Sequence, residues 1–267
     1  MIGVVLVFFF FLIAFFGPYV APYHPEHIDL DHEFATSSAL HWLGTTDNGV
    51  DVLSVLLHGA RLAAVVAVCV VVLSLVIGTL LGVTAGYLGK RADHIVSGAT
   101  DLVQAFPAII LNIGIVALVA RAGLVHLIFA LVVTGWVLYT RIARAETLSL
   151  RERDFIDAAR ALGASEVRIV LRHLLPNLAA PLIIQATTGM GGAILAEATL
   201  SFLGLGPGTG TSWGALLDQG SAVLLRFPHI ALSAGGAIAL TVLGFNLMGD
   251  YLRDRLDPGF RSSHANS

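Results

Sequence analysis

Few residues in this sequence are of types that do chemistry, and most of them are excluded from it by their spacing. The segment Tyr23 to Phe34 gathers His24, His27 and His32 among Glu26, Asp29, Asp31 and Glu33. Imidazole with carboxylate suits nickel or zinc. A solvated loop without Lys or Arg collects such residues readily, however, and nothing in the spacing fixes a coordination geometry, so no metal site is assigned. The only lysine is Lys90, in GYLGKR. A phosphate-binding P-loop needs a Lys followed by Ser or Thr after a glycine-rich turn, so this chain carries none. No HExxH occurs, and the Ser and His residues of the apolar stretches are scattered. An intramembrane hydrolase would need them paired, and no catalytic residue is assigned. The lone cysteine, Cys69, lies inside an apolar stretch and offers neither a disulfide framework nor a thiolate metal site.

The remaining polar candidates sit within apolar runs. Ionisable or amide groups there are costly, on the order of 2.5 kcal/mol or more for a central charge, and tend to face a pore or a partner. Glu197 is the clearest case, followed by Gln185, Asn112 and Asn246. For Glu197 a capping or interhelical hydrogen bond stands beside a pathway role. Gly189, Gly191 and Gly192 suit either close helix packing or the wall of a pathway. Asp101 and Asp250 fall near the ends of their runs and read as interfacial. A proton-coupled secondary transporter should show paired intramembrane carboxylates or a broken-helix repeat, and neither is evident.

The elements that must position these groups are membrane helices. The chain has 267 residues, 56% hydrophobic and 12% charged, against about 25% charged in soluble domains. A span of hydrocarbon ~30 Å thick takes about 20 largely apolar residues in a helix. Six stretches qualify: Ile2–Val20, Leu62–Leu88, Thr100–Ala120 with a kink at Pro107, Leu124–Ile142, Leu178–Leu200 and His229–Leu252. The first, without a preceding basic residue, reads as a retained anchor helix rather than a leader. Residues 21–61 form an extracytoplasmic loop, 62–252 a five-helix core with a projecting loop at 143–176, and 253–267 a tail. In the second span Gly78, Gly82 and Gly86 recur on one face and admit a close neighbour. If loops alternate sides, one side receives twelve of the fifteen Lys and Arg and the other three. The positive-inside rule then places the basic loops and both chain ends in the cytoplasm, with an all-α, polytopic, six-span fold.

The most charged stretch, Arg141–Pro176, holds seven arginines between spans four and five. Arg151 to Leu162 reads as a helix with Phe155, Ile156, Ala159 and Leu162 on one face, and Gly163 follows at the helix C-terminus. Ser165 caps a second helix, Glu166 to Leu175, which is expected to end at Pro176. This loop resembles the signature of the inner-membrane permeases of binding-protein-dependent ABC importers, namely Glu-Ala-Ala, three residues, Gly, nine residues, an aliphatic residue, one residue, Leu-Pro. It stands here as Asp157, Ala158, Ala159, Gly163, His173, Leu175 and Pro176, with Asp157 in place of Glu and His173 in place of the aliphatic residue.

Three more stretches carry a resemblance to the C-type subunits of dipeptide, oligopeptide and nickel permeases. They are His41 to Ser54, with Thr46 and Val50 departing from the pattern; Ile194 to Gly206 with Trp213 and Gly214 following; and Gly244 to Pro258. Relatives carry a basic segment ahead of span one that does not appear here. The resemblance implies a type I importer permease in a bacterial inner membrane, in contact with lipid and with no cofactor of its own. ATP and Mg would be bound by two partner ATPase subunits that grip the coupling loop through Asp157, Ala158, Ala159, Gly163, Leu175 and Pro176. A second, similar permease subunit would complete the pathway, and an extracytoplasmic solute-binding protein would deliver substrate. Short peptides are the expected substrate, with nickel or another small solute as the alternative; no nucleic-acid partner is expected.

Overall fold

The computed structural model describes residues 1–119, 123–208 and 211–256. Ala120, Arg121, Asp257, Pro258, Arg261 and the rest of the expected tail lie outside these residues. Every regular element is helical among them: α1 (Ile2–Val20), α2 (Val52–Leu88), α3 (Lys90–Gln104), α4 (Ala108–Ala117), α5 (Leu124–Leu150), α6 (Asp154–Ala161), α7 (Glu166–Ile169), α8 (Leu175–Phe202), α9 (Trp213–Ala222) and α10 (Pro228–Leu256). Five of them, counting Glu166–Phe202 as one, are long and apolar enough to cross a membrane, and α3 with α4, bent at a short break, makes a sixth when the pair is counted as one span.

That bent pair departs from the expected single kinked span at Thr100–Ala120. The two helices meet at 82°, and α4 alone is only about 15 Å long. Pro107 occupies the N-cap of α4 with an extended ψ of 126°. Its missing N–H and its ring forbid the helical turn that would have joined the two pieces. The helix α3 is amphipathic and tied by side-chain charge to α5: Arg144 pairs bidentately with Asp93, and Arg141 Nη2 donates to Asp101 Oδ1 at 3.0 Å. Asp101 is thus an exposed ion-pair partner in the last turn of α3.

The helix α2 begins ten residues earlier than the apolar run alone indicates, because Asp51 caps it. The Asp51 carboxylate accepts from Ser54 N at 2.8 Å and from Ser54 Oγ at 2.7 Å, which satisfies a backbone donor of the first turn. At 37 residues, or about 55 Å, α2 reaches past the hydrocarbon at one or both ends. Its small-residue face meets α5. A Cβ on Gly78 would lie 2.5 Å from Tyr139 Cβ, one on Gly82 2.7 Å from Ala143 Cβ, and one on Gly86 2.8 Å from Thr147 Cβ. The expected close contact is therefore the α2–α5 interface, the largest helix pair in the fold.

At the end opposite the arginine-rich loop, residues 21–51 fold into a cap against α9 and the start of α10. Phe34 stacks on Phe227 at 4.3 Å, Trp213 Nε1 donates to Leu56 O at 2.9 Å, and Val52, Val55, Leu216, Ile230 and Ala234 form a small buried cluster beneath.

Candidate functional site

Three regions hold the residues singled out by the sequence. The projecting loop forms as expected at its centre and differs at its edges. Its first helix is the two-turn α6, shorter than Arg151–Leu162, because Arg153 is extended and starts it. Gly163 has φ +78°, a left-handed conformation that penalises any side chain. Gly163 N donates to Arg160 O at 2.9 Å and Ala164 N to Ala159 O at 3.1 Å, the paired bonds of a Schellman C-cap. Ser165 Oγ then accepts from Arg168 N and starts α7.

The second helix does not end at Pro176. Val170–Leu174 makes a wider π turn, and Leu175 and Pro176 form the first turn of α8, so the chain stays helical from Glu166 to Phe202. The wider turn directly precedes Leu175 and Pro176, and Pro176 lacks the N–H that would continue the regular ladder.

A small apolar core anchors the loop. Ile156, Ile169 and Leu174 are fully buried together, with Ala159, Tyr87 and Leu150 packed around them. Ala159 therefore faces the loop's own core rather than solvent, while Asp157 and Ala158 are exposed. Phe155, Leu162, Val167 and Leu171 are also exposed, which gives the tip an apolar surface ringed by arginines. Polar ties fix the tip to the end of α2. Tyr87 hydroxyl donates to Glu166, Arg160 lies 6.0 Å over the Tyr87 ring, and Arg151 Nη1 donates to Gly86 O at 3.0 Å.

The second region is a cleft of about 270 Å³ between α2, α4, α5 and α8. It brings together four of the polar and small residues expected on the pathway: Asn112, Gln185, Gly189 and Gly192. Thr134 hydroxyl donates to Asn112 Oδ1 at 3.1 Å. Ser74 and Tyr139 also line the cleft, and their hydroxyls are buried with no hydrogen-bond partner. Sequence reasoning missed both, since a single Ser or Tyr in an apolar helix gives no periodic signal. Gly189 fits against Tyr139, whose hydroxyl would lie 2.5 Å from a Cβ there, whereas a Cβ on Gly192 would meet nothing within 4 Å. The lining carries amide and hydroxyl groups and no formal charge.

Glu197 and Asn246 lie elsewhere. Asn246 lines an apolar groove between α8 and α10 with Leu195, Phe202 and Ile238. Glu197 is 1% exposed, and its Oε1 accepts from Ser201 Oγ at 2.7 Å and Ser212 Oγ at 2.8 Å. Ser212 is the N-cap of α9 and accepts from Gly214 N at 3.1 Å. The carboxylate thus clamps α9 to α8, the interhelical alternative of the two readings. Glu197→Ala is expected to lower stability by about 1–3 kcal/mol by stranding two buried hydroxyls, with Glu197→Gln intermediate. Thermal unfolding of the detergent-solubilised protein measures this, and equal stability of all three forms with reduced uptake would point to the pathway instead.

In the third region, the cap, the histidine-rich segment does not gather its own histidines. His32 Nδ1 contacts Asp29 Oδ2 at 2.8 Å, and His41, from outside the segment, presents Nε2 to the same oxygen at 4.0 Å. The hydrogen bond from His32 holds the Asp29 carboxyl below the usual carboxylate range.

Comparison with known proteins agrees with this architecture. Residues 78–262 match the family described as binding-protein-dependent transport system inner membrane component, and residues 1–37 match the N-terminal TM domain of oligopeptide transport permease C. The chain belongs to the binding-protein-dependent transport system inner membrane component family, and it is a multi-pass inner-membrane permease subunit of an ABC importer. It is 39% identical over 262 residues to the dipeptide transport system permease protein DppC of Alkalihalophilus pseudofirmus, covering 98% of this chain and 86% of the relative. It is 37% identical to the glutathione transport system permease protein GsiD of Pectobacterium atrosepticum, covering 94% and 83%. Among solved structures, the MetNI methionine ABC transporter in an inward-facing conformation is similar in fold, with a TM-score of 0.62 at 20% identity over 76% of this chain and 96% of that one.

Proposed function

We propose that this subunit conducts short peptides across the inner membrane, driven by ATPase subunits that seat on the α6–α7 loop. The observation that carries the coupling half is the construction of that loop. An exposed apolar tip is held by a glycine C-cap and wired to α2 and α8, as a part that is gripped and moved must be. The substrate half draws on the relatives, which transport a dipeptide and glutathione. It also draws on the cleft, whose Asn112, Gln185, Ser74 and Tyr139 offer neutral donors and acceptors suited to peptide amides.

Two coupling loops, one from this chain and one from a second permease subunit, would be drawn together when ATP closes the ATPases. The spans would then rock between inward-open and outward-open states around the shared cleft, giving alternating access. An extracytoplasmic binding protein would deliver peptide at the cap. ATP and Mg belong to the ATPase partners, since this chain has no P-loop. The twelve-to-three asymmetry of Lys and Arg puts the coupling loop and both termini in the cytoplasm. With Cys69 replaced, a cysteine at Asn48 should react with an impermeant reagent in intact cells, and one at Gly163 should react only after lysis. Equal labelling in intact cells would reverse this orientation.

The cleft is tested by filling it. Gly192→Leu places a side chain into open space, so assembly should survive while peptide uptake falls at least tenfold. Unchanged uptake would remove the cleft from the path.

A further inference from the structure

The cap brings together three ligand atoms that the sequence leaves apart. His32 Nδ1, His41 Nε2 and an Asp29 carboxylate oxygen all lie within 4.8 Å of one another. Two imidazoles and one carboxylate are the donor set of an open, three-ligand zinc site, with the remaining position left to solvent.

The backbone fixes each ligand independently. Asp29 N donates to Asn48 O at 3.1 Å, and the following 3₁₀ turn is closed by His32 N to Asp29 O at 3.0 Å. Thr45 hydroxyl donates to His32 O, and His41 N donates to Ser38 Oγ at 3.1 Å. The Tyr23 ring stacks on His41 at 4.9 Å. Gly49, at φ +68°, leaves room for the Asp29 backbone to lie directly against it.

A second shell is also present. His41 Nδ1 is 3.0 Å from Asp51 Oδ1, and the other Asp51 oxygen already accepts from Ser54. With Nδ1 engaged by Asp51, Nε2 is the ring nitrogen left facing Asp29. A carboxylate behind a ligating histidine orients the ring and raises its basicity. His41 is buried, whereas the Asp29 and His32 side chains are 28% and 43% exposed, which gives an ion a way in. Residues 22–57 carry six carboxylates and no Lys or Arg, so the segment itself supplies no competing fixed cation.

We propose that Asp29, His32 and His41 bind a divalent transition ion of the zinc class, with Asp51 as the orienting second-shell carboxylate. Binding replaces the hydrogen bond between His32 and Asp29, and the ion bridges the 3₁₀ turn to the loop that caps α2. The site is a brace for the cap and takes no part in the transport cleft, so it stands whether or not peptide is the substrate.

The test uses the full chain in detergent micelles, without a polyhistidine tag and stripped with chelator, titrated with Zn²⁺ and with Co²⁺ as a spectroscopic probe. One equivalent per chain should bind, with a tetrahedral or five-coordinate Co²⁺ visible spectrum. Asp29→Asn and His32→Ala lie at the exposed edge, so the metal-free fold should persist, as metal-free thermal unfolding will show. Each should weaken binding at least tenfold, and Asp51→Asn by roughly 10- to 100-fold. His24→Ala, outside the cluster, should leave the titration unchanged. Absence of a stoichiometric equivalent in the wild type, or wild-type affinity in both Asp29→Asn and His32→Ala, overturns the assignment.

Discussion

Substituting Gly163 with Val, or Ala158 with Trp, is expected to abolish coupled transport while the chain still inserts in the membrane. Gly163 sits at φ +78°, where a β-branched residue is strained. Losing that conformation also breaks the paired C-cap bonds that aim α6. Ala158 lies on the exposed face of α6, and a Trp there holds any partner away by several ångströms without touching the buried Ile156 cluster. Uptake should fall at least a hundredfold for both. For Ala158→Trp the ATPase subunits should release from the membrane or lose stimulation by loaded binding protein. Ala159→Trp is a less informative change, because Ala159 packs into the loop's own core and the ring would unfold the tip from within. If the loop served only to set topology, Gly163→Val and Ala158→Trp would transport normally, since both preserve every arginine. Uptake and ATPase stimulation measured in the same vesicles decide the matter.

Gly82→Leu is expected to destabilise the subunit strongly. The α5 backbone and the Ala143 side chain occupy the space its side chain would need, since a Cβ at residue 82 would stand only 2.7 Å from Ala143 Cβ. Neither helix can yield, because Gly78 and Gly86 hold the same contact on either side. The cost should reach at least the upper end of the roughly 1–3 kcal/mol typical of overpacking. Yield of assembled complex by size-exclusion chromatography measures this. Gly98→Leu, where a Cβ meets nothing within 4 Å, is the control and should assemble as the wild type does.

What the sequence made legible was local or periodic. Gly163 could be placed at a helix end because a C-cap is written in adjacent residues, and the glycine face of α2 because its four-residue spacing needs no knowledge of the partner. The boundaries failed where hydropathy alone set them and a local cap or turn decided otherwise. The earlier start of α2 depends on Asp51 holding Ser54, and the continuity through Pro176 depends on a π turn that hydropathy does not register. The helix α9, ten residues of mixed polarity, is held by Trp213 against Gly59 and by the Glu197–Ser212 bond, neither of which has a periodic signature. Six of the residues weighed for the path divided three ways for the same reason, and Gly191 packs against Phe245. Asn112, Gln185, Gly189 and Gly192 share a cleft, Glu197 clamps a helix cap and Asn246 lines an apolar groove, and only packing separates these outcomes. His41 joined the histidine cluster through the fold of the cap, nine residues beyond His32.

The most direct test of coupling is uptake of a labelled dipeptide by vesicles reconstituted with the complete complex and loaded binding protein, with and without ATP and with and without a proton-gradient uncoupler. An ABC permease requires uptake that depends on ATP and on the binding protein and that persists when the proton gradient is collapsed. Uptake that continues without ATP, or that disappears with the uncoupler while ATP is present, would contradict ATPase-driven import through this subunit.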